Sequence, residues 1–304
     1  EKILSTLRST IPGAKERGLA EALLIGYKDD LDPALAQSYS NTGVVHIIAI
    51  SGLHLGLIYW LLSLLVKPLQ KSRKLKWLRP LLILAGLWLF TLLAGAHPSV
   101  LRSAIMFSFI VAGEAAARKT NIYNTLAASA FVLLCINPYW LWDVGFQLSY
   151  AAVLSIVIFM KPVYNWFYIK NKWLDAAWKI NAVSIAAQLL TVPISIYHFH
   201  QFPTWFLLTN FIAVPLSGII LLGELFLLAV PFAWPAALTG RLIGSLIGFM
   251  NSYIEHIEAL PFSRWRDLLI TIPQLIFLLL FTAGVSCWLL EKQKTGLKIG
   301  IVSL

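Results

Sequence analysis

Charge is scarce in this sequence. Only 12% of its 304 residues are Asp, Glu, Lys or Arg while 59% are hydrophobic, against a charged share of about 25% in soluble domains. With a mean hydropathy of +0.76, this excludes a soluble globular domain and leaves a polytopic membrane protein. Cysteine is nearly missing: Cys135 and Cys287 both lie in apolar runs, so neither a disulfide framework nor a zinc knuckle can be built. Gly-Lys-Ser/Thr is absent, which removes phosphate-loop ATP hydrolysis by the chain itself. His198 and His200 flank Phe199 without any carboxylate cluster, so no metal and no cofactor are expected. Strict alternation over ten-residue blocks is also lacking, which argues against a transmembrane barrel. The sequence starts at Glu1, with no basic segment followed by a short apolar one. It therefore reads as an excerpt of a longer chain that carries further domains.

What is present is a succession of apolar runs. Residues 1–44 hold five Lys/Arg and six Asp/Glu, with turn signals at Pro12-Gly13 and Leu31-Asp32-Pro33. They are expected to form two or three extramembrane or interfacial helices. Runs follow at residues 45–66, 80–96, 99–117, 122–137, 141–160, 180–198, 203–231, 236–256 and 268–290. Because backbone groups in hydrocarbon must be satisfied within each segment, the expected fold is an all-α bundle of about nine transmembrane helices. The run at 203–231 is too long for one upright span and contains Pro215, so a kinked or partly re-entrant helix is expected there. The transmembrane region is set at 45–291 and a basic tail at 292–304.

The net charge of +10 gains meaning from its placement. Lys67, Lys71, Arg73, Lys74, Lys76 and Arg79 form a loop with no acid, and Lys161, Lys170, Lys172 and Lys179 form another. By the positive-inside rule both are cytoplasmic, as is the tail with Lys292, Lys294 and Lys298. Alternation then puts residues 1–44 outside.

Several polar constellations interrupt the apolar runs. In the stretch from His46 to Gly56, Gly52 and Gly56 are four apart and suit a close helix contact. Ser51 and His54 stand three apart, and with His46 they are either hydrogen-bonded interior groups or part of a polar path. Arg102 near the start of its span either snorkels to headgroups or points into a polar interior. Asp143 is placed to cap a helix and shares a face with Gln147. Three seams repeat at helical spacing: Asn181, Ser184, Gln188, Thr191 and Ser195; Asn210, Ala213, Ser217, Ile220 and Glu224; and Arg241, Ser245, Gly248, Ser252 and Glu255. Each seam either glues helices together or lines a hydrated path.

The ordered pieces Asn41-Thr42-Gly43, His46-Ile47-Ile48-Ala49-Ile50-Ser51-Gly52-Leu53-His54, Pro98-Ser99-Val100-Leu101-Arg102-Ser103-Ala104 and Asp143-Val144-Gly145-Phe146-Gln147-Leu148-Ser149, followed by Asn210 to Ser217, resemble the membrane domain of ComEC-type competence proteins. That resemblance implies a channel in the bacterial inner membrane that passes single-stranded DNA into the cytoplasm during natural transformation. It implies as partners a DNA receptor on the outer side and a cytoplasmic ATPase or helicase. Flanking OB-fold and metallo-β-lactamase-like domains are implied for the full-length chain. No His-x-His-x-Asp-His run is present, so nuclease chemistry is not expected here, and the resemblance carries no catalytic residues with it.

Two readings of other classes stand beside the channel. One is an intramembrane serine hydrolase using Ser51 and His54, which would lose activity on Ser51→Ala. The other is a small-solute or ion transporter using Glu224, marked by solute uptake without a DNA phenotype.

Overall fold

The computed structural model describes residues 2–71, 78–116 and 121–291. The tail at 292–304, Arg118-Lys119 and residues 72–77 of the first basic loop, with Arg73, Lys74 and Lys76, lie outside those residues. The described chain is almost wholly helical and divides into two compact units.

The first unit comprises residues 1–40, 44–140 and 212–259. It opens with three helices, α1 (Lys2–Thr10), α2 (Ala14–Ile25) and α3 (Pro33–Asn41). Left-handed Gly13 and Gly26 flank α2, and Gly26 donates its N–H to the Ala22 carbonyl at the helix end. Asp32 starts α3 by accepting the N–H groups of Ala34 at 2.8 Å and Leu35 at 3.4 Å. Those two bonds, chiefly, hold its carboxyl below the ordinary carboxylate range. Arg8 binds Glu21 at 2.9 Å and Asp30 at 2.6 Å, and Lys15 reaches Asp32 at 3.5 Å and Glu255 at 3.6 Å.

The expected first span at 45–66 is broken in the structure. A single turn, α4 (Val45–Ile48), ends at an extended Ala49, and α5 (Gly52–Leu65) begins afresh behind an extended Ser51. The serine side chain offers the orphan N–H groups of a helix start an acceptor, which makes a new beginning cheaper than a continuous helix. Next come α6 (Leu78–Leu93), α7 (Pro98–Ala115) and α8 (Ile122–Ile136). Proline at the first position suits α7, because that N–H has no partner in any helix. Most of α11 (Phe206–Ala229) and all of α12 (Ala233–Glu258) complete the unit.

Two cores organise it. One gathers Leu7, Leu19, Leu23, Leu35, Tyr39 and Ile47 from the N-terminal helices with Ile220 and Leu221 of α11 and Ile247 and Ile254 of α12. The other joins Leu55 and Ile58 of α5, Ile83 and Leu87 of α6, and Val100 and Ala104 of α7. The buried positions of α12 are Gly240, Ile243, Gly244, Ile247, Met250, Asn251, Ile254 and Ile257, the three-and-four spacing of one helix face. Its glycines admit the lead-in: a Cβ on Gly240 would lie 2.6 Å from the Thr10 carbonyl, and one on Gly244 3.1 Å from Pro12. Tyr39 donates to Asn251 at 2.8 Å in the same core, and burial, then the charge of Glu255, pushes its phenol well above the ordinary value.

The second unit comprises residues 41–43, 141–211 and 260–304. Its main elements are α9 (Val144–Tyr164), α10 (Lys172–Phe199) and α13 (Ile272–Glu291). The strands β1 (Phe202–Pro203) and β2 (Arg264–Trp265) form an antiparallel pair with Phe202 opposite Trp265. Ala182 and Ala186 of α10 are fully buried with Phe159 and Val163 of α9, so small side chains let these two helices approach closely.

Among the described residues, four helices, α7, α9, α10 and α11, are long and apolar enough to cross a membrane, and α5, α6, α8 and residues Ile272–Val285 of α13 are shorter apolar helices. The run at 236–256, counted among the nine expected spans, forms α12 and belongs to neither group. Arg241, Ser245, Ser252 and Glu255 on its exposed face lower its hydropathy.

Candidate functional site

The start of α5 is built as a reciprocal cap. The N–H of Leu53 donates to the Ser51 Oγ at 3.3 Å, and the N–H of Ser51 donates to the His54 Nδ1 at 3.0 Å. Nδ1 is therefore the acceptor nitrogen, which puts the ring proton on Nε2. Nε2 is buried and has no hydrogen-bond partner among the described residues. The Ser51 Oγ also lies 3.3 Å from Nδ1, as a nucleophile and base would. That lone pair already receives the Ser51 backbone N–H, however, so the geometry is that of a helix cap with histidine in the place Glu or Gln usually takes.

Arg102 and Ser103 of α7 press on this start. A Cβ on Gly52 would fall 2.9 Å from the Arg102 Nη2 and 2.8 Å from the Ser103 Oγ. Gly56, one turn on, faces Phe107 of the same helix, whose ring stacks on Tyr59 at 5.0 Å. Ser99 donates to the Ile50 carbonyl at 3.3 Å, tying α7 to the break between α4 and α5. Arg102 is 4% exposed, and its Nη1 points at the Met106 sulfur at 3.4 Å. Ser51 and His54 thus share the start of α5 with Gly52, on which Arg102 packs, and His46, exposed on α4, lies within electrostatic reach of His54. At the other end of α5, Tyr59 donates to Glu114 at 2.9 Å, and Arg79 of α6 lies 3.6 Å from the same carboxylate.

The three polar seams differ in kind. On α11, Ser217 is fully buried and donates to the Val214 carbonyl, and Glu224 is fully buried. Asn210, 5% exposed, has an Oδ1 without a partner among the described residues. On α12 the seam is outward: Arg241, Ser245, Ser252 and Glu255 are exposed. On α10, Asn181, Ser184 and Thr191 are half-buried and donate to the carbonyls of Ala177, Ile180 and Ala187 of their own helix, while Gln188 receives Thr191.

Asp143 caps α9, accepting the N–H of Phe146 at 2.7 Å. Gln147 donates to the Leu141 carbonyl at 2.9 Å, and its Oε1 lies 3.3 Å from the His198 Nε2 near the end of α10. Sequence reasoning missed Ser155 of α9. Its buried hydroxyl donates to the Ala186 carbonyl and accepts the Leu190 N–H at 3.1 Å, two groups that pair with each other in a regular helix. The Ala182-x-x-x-Ala186 spacing was the available signal. The ladder Gly240, Gly244 and Gly248 was likewise legible, although only Gly248 entered a seam.

Apolar helices of spanning length, among them α11, which runs unbroken through Pro215 where a kinked or partly re-entrant helix was expected, and polar groups buried at helix joints define a polytopic membrane protein of the helix-bundle class. A family model described as Competence protein matches residues 23–295, and the chain belongs to that family. It is similar to ComE operon protein 3 of Bacillus subtilis, 32% identical over 269 residues, which cover 88% of this chain and 31% of that protein. It is also similar to Recombination protein 2 of Haemophilus influenzae, 25% identical over 82% of this chain and 33% of the relative. Competence protein ComA of Neisseria gonorrhoeae is 30% identical over 46% of this chain and 21% of its own length. The chain thus spans about a third or less of the length of these relatives. No solved structure matches it.

Proposed function

We propose that this chain is the membrane-spanning domain of a DNA-uptake channel, and that it conducts single-stranded DNA across the bacterial inner membrane during natural transformation. The observation that carries the reading is membership of the Competence protein family over residues 23–295. A strand crossing hydrocarbon needs a continuous polar surface, because each bare phosphate left in lipid is prohibitively costly. The exposed stripe of α12 from Arg241 through Ser245 and Ser252 supplies such a surface, with the half-buried stripe of α10 at Ser184, Gln188 and Thr191 as a second. Ser51, His54 and Arg102 form the polar joint at the outer mouth of the path. Basic residues at 67–79, the basic tail, and Lys161 at the end of α9, Lys170 in the connection and Lys172 and Lys179 at the start of α10, where a basic loop was expected, lie on the cytoplasmic side, where they attract emerging phosphates by charge. Residues 1–44 lie outside, and a DNA receptor and a cytoplasmic ATPase complete the pathway.

The test is transformation of a deletion strain with labelled DNA. Entry of label into the cytoplasm is lost while binding at the cell surface persists; unchanged transformation refutes the proposal. For the path itself, cysteines are introduced after Cys135 and Cys287 are replaced by serine. A cysteine at Ser245 reacts with a water-soluble thiol reagent, and one at Leu222 does not.

A further inference from the structure

Glu224 stands late in α11, the most apolar of the four long helices, with a mean hydropathy of 2.3. It is fully buried, and neither carboxyl oxygen has a hydrogen-bond partner among the described residues. Two tight contacts bracket it. A Cβ on Gly218 would lie 3.2 Å from Leu57 of α5, and one on Gly223 3.2 Å from Ile243 of α12. Ile220, Leu221 and Leu227 around it are buried as well.

The ionisable groups of the elements packed here are engaged or turned elsewhere. His54 is tied into its cap and Tyr59 binds Glu114. On α12, Arg241, Glu255 and His256 are exposed, Glu255 meets Lys15, and Tyr253 and Glu258 are half-buried. Glu21 of α2 is paired with Arg8, and Tyr39 of α3 with Asn251.

A lone carboxylate in such a place is neutralised by taking a proton, since ionisation without a partner costs far more than the bundle can hold. A metal cation does not serve instead, because a hard cation gathers about six oxygens. The next polar group along this face, Ser217, is two turns away and committed to Val214.

We propose that Glu224 is a proton-binding site. In the closed packing it is the neutral acid, and it releases its proton only when α11 parts from α5 and α12 and water reaches the carboxyl. Ionised Glu224 cannot return to its apolar seat, so the proton acts as the ligand of the closed arrangement. Only the use of that opening, admission of a strand, rests on the function proposed above.

The test uses the full-length protein in lipid vesicles at neutral pH. Infrared difference spectra between native protein and the Glu224→Gln variant show loss of a carboxylic-acid C=O band in the variant. Loss of carboxylate bands alone overturns the proposal. A second measurement needs no variant. A protonated carboxyl adds to lipid-soluble dicyclohexylcarbodiimide: its proton goes to one nitrogen and its oxygen to the central carbon. An oxygen-to-nitrogen acyl shift then gives a stable N-acylurea with nothing leaving. Mass spectrometry finds this adduct on Glu224 with the lipid-soluble reagent and not with a water-soluble carbodiimide. The reverse pattern, or no adduct, overturns the site. Neither measurement involves DNA, so their failure leaves the uptake reading standing, and unchanged transformation on deletion leaves the proton site standing.

Discussion

The α5–α7 joint of the first unit and the α9–α10 joint of the second both bring helices together at small residues, and both place a polar side chain there. At α9–α10 the polar group is the Ser155 hydroxyl, neutral and satisfied twice on the α10 backbone between Ala182, Ala186 and Leu190. At α5–α7 it is the Arg102 guanidinium, set against Gly52 at the positive end of the α5 helix dipole, where the His54 Nε2 is buried without a hydrogen-bond partner among the described residues. The first arrangement seals a packing contact. The second keeps charge and donors in a place where packing alone would have chosen none.

The largest effect that would break this contrast falls on Gly52. Gly52→Val directs a branched side chain onto Arg102 and Ser103, and a loss of about 3 kcal/mol is expected from overpacking. It is read as a fall in Tm by tryptophan fluorescence of the protein in detergent, or as failure to accumulate in the membrane. Next comes Ser155→Ala, which leaves two α10 backbone groups without their bridge and costs about 1–3 kcal/mol. The same change at Ser184, whose hydroxyl only returns to its own helix, stays within about 0.5 kcal/mol. Equal effects at both serines would dissolve the distinction between joint and seam.

Ser51→Ala removes the cap of α5 and lowers stability by about 1 kcal/mol, with DNA uptake retained in cells. Complete loss of uptake in a folded Ser51→Ala protein would restore the serine to a chemical role. The smallest effect is on pH dependence in the lead-in. Asp32 has a folded-state carboxyl held below its unfolded value, so its contribution is present above the unfolded value and is lost as pH falls through the folded one. Native protein and Asp32→Asn therefore differ in Tm near neutrality and converge in acid.

The helical architecture was legible from apolar runs and proline positions, because in lipid the backbone leaves few alternatives. Turn signals at Pro12-Gly13 and Asp32-Pro33 fell between the three lead-in helices. The break before Ser51 was not read, since Ala49 and Ile50 are as apolar as any helix interior. Only the serine side chain, which caps as well as it continues, distinguished the two outcomes. The seams were legible as spacing but not as environment. The same three-and-four pattern is buried on α11, self-satisfied on α10 and exposed on α12, because neighbours decide which face is covered. Gly248 illustrates the limit: assigned to a polar stripe, it belongs equally to a ladder whose other rungs, Gly240 and Gly244, hold Thr10 and Pro12.

That ladder also bears on the order in which the molecule is made. The partners of α1 and α2 lie on α12, far downstream of them, so the docking surface of α1 and α2 does not exist until α12 has been synthesised. Leu19, Leu23 and their neighbours then wait uncovered while the intervening helices emerge, and closure over so long a separation is slow. The N-terminal helices emerge well before the face that covers them, and truncation within α12 strands them.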